Sequence, residues 1–314
     1  GSVRCPHSQF TAVGRAWRMV TARDTEHVGG DGWARILHRL WGEHREMSQT
    51  AGARHAVVFD WAGTLVDEGS AAPIEALAAV FSQEGIVVSE TDLRSPMGRL
   101  KRDHIRDVLA MPDIQAQWMA ARDRPPSLSD VDRLNDSLEA IMPDIAVTRA
   151  KPLPKVLDAL EELRRHGYKL GSTTGYTRRT LDALRIAAAA LGVEVDAAAA
   201  SDEVAQGRPH PWMIYKAMEQ LGVYPPSRVI KVGDTPMDIQ EARNAGCWAV
   251  GVVFGGNELG LSCDAIHALP PVERRVRVDQ ARRRLWDAGA DAVLDDMGQL
   301  PAWLRTIGDR RHGR

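Results

Sequence analysis

Short apolar runs alternate with helical stretches through most of this 314-residue sequence. The first run, His55–Asp60, is apolar between its ends, which is typical of a parallel strand buried on both faces. Such alternation predicts an α/β fold, a doubly wound parallel sheet with helices on both faces. Ala197–Ala200 is ambiguous, because alanine favours helices while its place after an aspartate suits a strand. The other predicted strands are Tyr168–Ser172, Arg228–Val232, Trp248–Val253 and Ala292–Leu294. The predicted helices are Ala71–Glu84, Pro96–Met111, Val156–His166, Thr177–Leu191, Pro211–Gln220, Met237–Asn244, Gln280–Ala288 and Met297–Thr306.

A mostly helical block comes directly after the first strand and interrupts the alternation. Ser95 and Pro96 form a good helix start, with serine as the N-cap and proline at the first helical position. That helix is expected to run to about Met111, and Pro125-Pro126 should break the polar helical stretch 112–149.

This arrangement predicts a helical cap domain, residues 70–148, inserted into a core domain of residues 54–69 and 149–314. Residues 1–53 carry many charges and no sustained hydrophobic period. We expect them to be a flexible extension of the folded unit.

Composition limits the classes of function. The net charge of −2 gives no electrostatic reason to expect nucleic acid or an anionic membrane as a partner. No segment approaches the roughly 20 apolar residues of a membrane span, and no apolar stretch near the N-terminus resembles a secretory signal. Cys5, Cys247 and Cys263 are too widely spaced for a zinc site or a disulfide framework. We therefore expect a cytoplasmic protein with reduced thiols.

Asp60 ends the first strand and begins the segment Asp-Trp-Ala-Gly-Thr. It should project from the carboxyl edge of the sheet, where open α/β folds bind their ligands. Taken alone, it could equally be an aspartate that caps a turn. Its interpretation therefore depends on the polar residues at the ends of the other strands.

Three later segments carry polar groups suited to phosphate or metal. Thr174 and Gly175 end a strand, where a hydroxyl and backbone N–H groups can hold a phosphoryl oxygen. Arg208 is a permanent cation, although an arginine before proline is usually a surface residue. Asp234 and Asp238 come after another strand, and carboxylate oxygens suit Mg²⁺. Asp238 could instead cap the helix at whose start it lies.

In this order, the four segments resemble the haloacid dehalogenase (HAD) superfamily of phosphoryl-transfer enzymes over about residues 55–300. The resemblance implies that the predicted core is HAD-like, with a nucleophilic Asp60 and an aspartyl-phosphate intermediate. It implies that phosphate is held by Thr174, Gly175 and Arg208. It also implies that Mg²⁺ is held by Asp60, the Ala62 carbonyl and Asp234, with Asp238 as a further candidate.

The leaving group needs a separate explanation. Most phosphatases and mutases of this superfamily place a second aspartate two residues after the nucleophile to protonate an alkoxide, and here that position is Ala62. The predicted helix from Pro96 would place Met97, Lys101 and His104 on one stripe. A lysine imine would accept the electrons of a breaking carbon–phosphorus bond, with His104 as proton shuttle and Met97 as an apolar wall. Taken singly, each of the three is more often a surface or core residue.

The whole set resembles the phosphonoacetaldehyde hydrolase (phosphonatase) family of this superfamily. The matching segments are Asp60–Thr64, Pro96–His104, Gly171–Thr177, Gly207–Met213 and Lys231–Thr235. The resemblance implies hydrolysis of phosphonoacetaldehyde to acetaldehyde and phosphate, Tyr176 in the site beside Thr174, and a homodimer through the cap. Departures from the family pattern leave room for a related phosphonoaldehyde, and they are Leu65, Ser70, Arg99 and His210.

Two rival functions stand beside this hypothesis. One is a HAD phosphomonoesterase or phosphosugar mutase, in which Lys101 would have no evident role. The other is a catalytically inert scaffold, which would not need the nucleophile, the metal carboxylates and the phosphate-binding cation together. The imine hypothesis also predicts a lowered pKa for Lys101, caused by burial and nearby cations. It requires Lys101 and Asp60 to converge on one small cavity.

Overall fold

The structure is a computed structural model that describes residues 55–309. The expectation for residues 1–53 lies outside this range. Six strands form one parallel sheet in the order β3-β2-β1-β4-β5-β6. The strands are β1 Ala56–Phe59, β2 Lys169–Thr174, β3 Ala197–Ala200, β4 Val229–Gly233, β5 Trp248–Val252 and β6 Ala292–Leu294. The predicted doubly wound sheet is confirmed, and the ambiguous alanine segment is a strand.

The central strand β1 is apolar because both of its faces are covered. Val57 and Phe59 pack in one hydrophobic cluster, whereas Ala56 and Val58 pack in another, and all four are buried. Successive side chains of a strand point to opposite faces, so each cluster lies on its own side of the sheet. This burial fixes the register of β1, and with it the position of the residue directly after the strand.

Twelve α-helices accompany the sheet in residues 55–309. Those between β1 and β2 are α1 Ala71–Gln83, α2 Glu90–Arg94, α3 Lys101–Leu109, α4 Pro112–Arg122, α5 Leu128–Thr148 and α6 Val156–Arg165. The later ones are α7 Arg178–Ala189, α8 Trp212–Leu221, α9 Pro236–Ala245, α10 Cys263–Ala268, α11 Pro271–Asp287 and α12 Leu300–Asp309. The described residues form one compact unit, so the cap boundaries at 70–148 stay a prediction. None of these helices is long and apolar enough to cross a membrane.

The predicted helix from Pro96 to Met111 is wrong at its start. Residues 95–100 are non-helical, and α3 begins only at Lys101. Gly98 has a φ of +88°, and a Cβ atom there would lie 2.6 Å from Thr235 Oγ1. Packing of this segment against the core therefore overrides the local N-cap signal. As a consequence, Met97, Lys101 and His104 do not share one helix.

Other boundaries differ less. The break at Pro125-Pro126 is confirmed, because α4 ends at Arg122 and α5 begins at Leu128. The helix predicted at Gln280 begins nine residues earlier, in a stretch rich in charge that the hydrophobic pattern did not mark. Helices α2 and α10 were not predicted, and each has five or six residues.

Candidate active site

Asp60 lies directly after β1 at the carboxyl edge of the sheet. Its backbone N–H continues the sheet by donating to the Val232 carbonyl at 2.9 Å. Its carboxylate Oδ1 accepts a hydrogen bond from Arg208 Nη2 at 2.8 Å. Burial raises the pKa of Asp60, and the neighbouring Arg208 cation opposes that rise. An ionised nucleophile at this position therefore depends on nearby positive charge.

The turn after Asp60 is shaped to receive the carboxylate of Asp234. Gly63 has a φ of +78°, and a Cβ atom on it would lie 2.2 Å from Asp234 Oδ2. Thr64 Oγ1 donates to Asp234 Oδ1 at 2.9 Å, and Ser70 Oγ donates to Oδ2 at 3.2 Å. The Asn257 N–H also donates to Oδ2, at 2.7 Å. The glycine and threonine of the first motif thus place Asp234 beside Asp60.

Carboxylate oxygens of Asp60, Asp234 and Asp238 lie within 4.8 Å of one another in the described part of the chain. All three residues are buried. Burial and the charges of Asp60 and Asp238 raise the pKa of Asp234 well above its usual value. A divalent cation with a preference for oxygen ligands would relieve this repulsion, so the donor set fits Mg²⁺. Ala62 lines the adjoining cavity, as its predicted carbonyl contact requires.

Asp238 is a helix cap, which was the alternative interpretation of this residue. Its Oδ2 accepts from the Thr235 hydroxyl at 2.7 Å and from the Thr235 N–H at 3.2 Å. Its Oδ1 accepts from Lys231 Nζ at 2.7 Å and lies 3.0 Å from Arg208 Nη1. Burial raises the pKa of Asp238, but the two cations outweigh burial and the pKa is lowered. Its predicted role as a metal ligand competes with these contacts.

Arg208 and Thr174, the residues predicted to hold phosphate, both line the same cavity as Asp60. Arg208 is buried, and its Nη2 donates to the Thr173 carbonyl and hydroxyl oxygens, each at 2.8 Å. Thr174 ends β2, and its Oγ1 accepts from the Tyr176 N–H at 3.2 Å. Arg208 is therefore buried and is not a surface residue. The carboxylates of Asp60, Asp238 and Glu241 balance its charge and raise its pKa, although burial alone would lower it.

Lys101 reaches the same cavity from the cap side. It is the first residue of α3 and only 3% exposed. Its Nζ lies 3.9 Å from Met97 Sδ and 5.5 Å from the centre of the Tyr176 ring. The cavity holds about 20 Å³, roughly the space of one water molecule. It is lined by Asp60, Ala62, Ser70, Pro73, Met97, Gly98, Lys101, Thr174, Gly175, Tyr176, Arg208 and Thr235.

The pKa of Lys101 is lowered to about 8. Burial is the main cause, and the Arg208 cation adds to it, whereas the Asp60 and Glu139 carboxylates oppose it. The expected lowering and both of its expected causes are therefore confirmed. A neutral amine becomes accessible near neutral pH, unlike that of an ordinary lysine.

His104 does not line this cavity. It is fully buried on α3, and its Nε2 lies 2.8 Å from the Leu93 carbonyl oxygen. Burial lowers its pKa to about 3, so the neutral ring carries its proton on Nε2 and donates it to that carbonyl. These are the contacts of a packed structural histidine. Its role as proton shuttle stays a prediction that the geometry does not favour.

Residues 98–99 pack closely against the sheet edge beside the cavity. A Cβ atom on Gly175 would lie 2.6 Å from the Arg99 carbonyl oxygen. A Cβ atom on Gly98 would lie 2.6 Å from the Thr235 side-chain oxygen. The two glycines therefore allow this segment to lie directly on the sheet edge.

Sequence reasoning missed three buried charged residues around the site. Lys231 and Glu241 are completely buried beside Arg208. Asp67 accepts hydrogen bonds from the N–H groups of Ala71 and Ala72 at 3.0 Å, and burial raises its pKa to about 6. The sequence did offer one signal, the lysine at 231 inside an apolar strand. A charged residue in a buried strand needs a buried partner of opposite charge.

Comparison with known proteins gives a consistent result. A family model described as a haloacid dehalogenase-like hydrolase matches residues 55–246. A Bacillus cereus protein named phosphonoacetaldehyde hydrolase is 41% identical over 252 residues, which cover 80% of this chain and 96% of that protein. A Bacillus anthracis protein of the same name is 40% identical with the same coverage.

A solved structure of a phosphonoacetaldehyde hydrolase-like protein from Oleispira antarctica superposes with a TM-score of 0.81 at 34% identity. The match covers 84% of this chain and 96% of that one. A β-phosphoglucomutase from Clostridium difficile shares the fold alone, with a TM-score of 0.58 at 16% identity. The chain therefore belongs to the haloacid dehalogenase-like hydrolases, and within them to the family of the phosphonoacetaldehyde hydrolases.

Proposed function

We propose that this enzyme hydrolyses the carbon–phosphorus bond of phosphonoacetaldehyde to acetaldehyde and phosphate. The observation that carries the proposal is that Lys101 and Asp60 both line one small cavity. An amine and a nucleophile at opposite ends suit a substrate with an aldehyde at one end and phosphorus at the other. The relatives that carry this activity in their names support the same substrate.

The first step is condensation of neutral Lys101 with the aldehyde, which takes up one proton from solvent, releases water and leaves an iminium cation. The lowered pKa of Lys101 favours the nucleophilic form of the amine. The Tyr176 ring, 5.5 Å from Nζ, can stabilise the cation through its π face. Burial raises the pKa of the Tyr176 hydroxyl well above 10, so the phenol stays protonated beside the iminium.

In the second step, Asp60 attacks phosphorus. The electrons of the carbon–phosphorus bond move to the iminium, which becomes a neutral enamine, and an aspartyl phosphate forms. We assign Arg208 and Thr174 to hold phosphonyl oxygens. Arg208 Nη1 lies 3.0 Å from Asp238 Oδ1 but makes no hydrogen bond with the described residues, which supports a role for it as a donor to substrate. Bound Mg²⁺ would offset the negative charges of nucleophile and substrate.

Two hydrolyses complete the cycle. The enamine takes up a proton at carbon, and water then releases acetaldehyde and the Lys101 amine. Water also cleaves the aspartyl phosphate, which restores Asp60 and yields phosphate. Ala62 explains why this route suits the chain better than ester hydrolysis, because a departing enamine needs no acid at that position.

Assembly and location remain part of the proposal. We place the enzyme in the cytoplasm as a homodimer joined through the cap. Exposed apolar side chains on the cap surface support such an interface, and they are Val87, Met119, Leu128 and Val147.

A direct test compares phosphonoacetaldehyde with glycolaldehyde phosphate, an ester of similar shape. With Mg²⁺ we expect equimolar phosphate and acetaldehyde from the phosphonate, and a rate at least about 100-fold lower for the ester, since its alkoxide lacks an acid. Chelation by EDTA should stop phosphate release. Equal or faster hydrolysis of the ester would favour a phosphomonoesterase instead.

Imine formation should depend on pH through Lys101. The amine is protonated below its pKa of about 8, so the rate should rise as pH increases through that value and level off above it. The measurement is mass spectrometry of the adduct trapped by cyanoborohydride with acetaldehyde, between about pH 6 and 10. A rate still rising towards pH 10 would mean that burial does not lower the pKa of the Lys101 amine.

A further inference from the structure

Arg208 lies among three carboxylates, and two of them have other roles. Asp60 is the proposed nucleophile, and Asp238 caps α9 and pairs with Lys231. The third, Glu241, neither caps a helix nor belongs to the carboxylate cluster suited to metal. It is nevertheless completely buried, which is costly for a carboxylate.

Glu241 holds the Nε position of the guanidinium. Its Oε2 accepts from Arg208 Nε at 2.9 Å, while Arg208 Nη2 donates to Asp60. The planar guanidinium is therefore held at two of its three nitrogens by carboxylates. Without the first contact, only Nη1 and Nη2 would set its orientation.

The same Glu241 oxygen also accepts from the Thr173 hydroxyl at 3.1 Å. That hydroxyl in turn accepts from Arg208 Nη2 at 2.8 Å. Thr173 immediately precedes Thr174, the proposed phosphate ligand on β2. One carboxylate on α9 thus fixes both the cation and the strand end that form the phosphate cradle.

The ion pairs around Arg208 are consistent with this role. Three buried carboxylates, Asp60, Asp238 and Glu241, pair with the buried cations Arg208 and Lys231. Glu241 Oε1 has no partner among the described residues, so its burial is not explained by full hydrogen bonding. An apolar side chain would avoid that penalty but could not orient Arg208.

We propose that Glu241 is a positioning residue, which orients Arg208 and Thr173 so that the cradle is formed before a phosphonyl or phosphate group arrives. The inference deepens the proposed function, because it concerns the same cradle. It requires only that the site bind phosphate, whatever bond is broken.

Inorganic phosphate is the probe, and its affinity for the Mg²⁺-loaded enzyme is measured by calorimetry. Glu241→Gln keeps an acceptor oxygen but removes the charge, and we expect about 10-fold weaker binding. Glu241→Ala removes the contact as well, and about 100-fold weaker binding is expected. The yield of acetaldehyde adduct on Lys101 should stay unchanged in both variants, which a general loss of structure would not allow.

Glu203→Gln is the matched control, because Glu203 pairs with Arg178 and Lys216 at the surface. It should leave phosphate affinity unchanged. Wild-type affinity in Glu241→Gln and Glu241→Ala would overturn the inference, as would equal losses of phosphate affinity and Lys101 adduct. Failure of the proposed function looks different, because wild-type enzyme would then bind phosphate without cleaving phosphonoacetaldehyde.

Discussion

Asp60→Asn is expected to lower phosphate release from phosphonoacetaldehyde by at least about 10⁴-fold, as loss of a nucleophile does in other covalent enzymes. Asparagine has nearly the same shape, and its side-chain oxygen can still accept from Arg208 Nη2. The fold should therefore survive. Because Lys101 is untouched, cyanoborohydride should still trap an adduct on it.

The two readouts separate chemistry from folding. Phosphate release and adduct mass are measured on the same protein, with Asp158→Asn on the exposed face of α6 as the control. Retained trapping with lost release supports separate roles for the carboxylate and the amine. Loss of both in a folded protein would mean that Asp60 is needed before the phosphoryl step, and the proposed order would be wrong.

Lys101→Met should abolish adduct formation and reduce carbon–phosphorus cleavage by at least about 10³-fold, because the electron acceptor is gone. Methionine matches the length of the lysine stem and suits a position that is buried beside Met97. Lys101→Arg extends the test, since it keeps a positive charge near Asp60 but cannot condense with an aldehyde.

Lys151→Met is the control for this pair, because Lys151 is an exposed lysine outside the cavity. It should retain turnover and the Lys101 adduct. If Lys101→Arg kept more than about a tenth of wild-type cleavage, charge alone would explain the lysine, and the imine would be unnecessary.

The sheet and the position of Asp60 at its edge were predictable because their signals are local. An apolar run such as Ala56–Phe59 has few alternatives to a buried strand, and the residue after it must lie at the sheet edge. The same argument applied to β4 placed Asp234. Strand ends therefore bring together Asp60, Thr174 and Asp234, whereas Arg208 comes from the loop after β3 and Asp238 from the first turn of α9.

The start of α3 was not predictable, because contacts with residues far away in the sequence decide it. Ser95 and Pro96 carry a valid helix-start signal, yet Gly98 packs on Thr235 and delays the helix. The stripe that included His104 consequently failed, although Met97 still reaches Lys101 through the turn. The predicted proximity of Met97 and Lys101 is thus correct, although the single helix from which it was predicted is wrong.

Glu241 was missed for a related reason. It lies three residues after Asp238 on the same helix, so its direction towards the site can be inferred only once the helix position is known. Sequence spacing places such a residue near the metal carboxylates but does not reveal its buried partner.

The close seat of Gly98 and Gly175 also bears on which molecules the enzyme can process. At Gly175 the neighbouring wall is the main chain of Arg99, whereas at Gly98 it is the side chains of Thr235 and Met237. Main chain cannot be shortened by exchanging side chains. Room for a bulkier substrate beside Gly175 would therefore require a different loop path, whereas room beside Gly98 could come from smaller neighbouring side chains. Discrimination by size is thus set in part by the path of the chain.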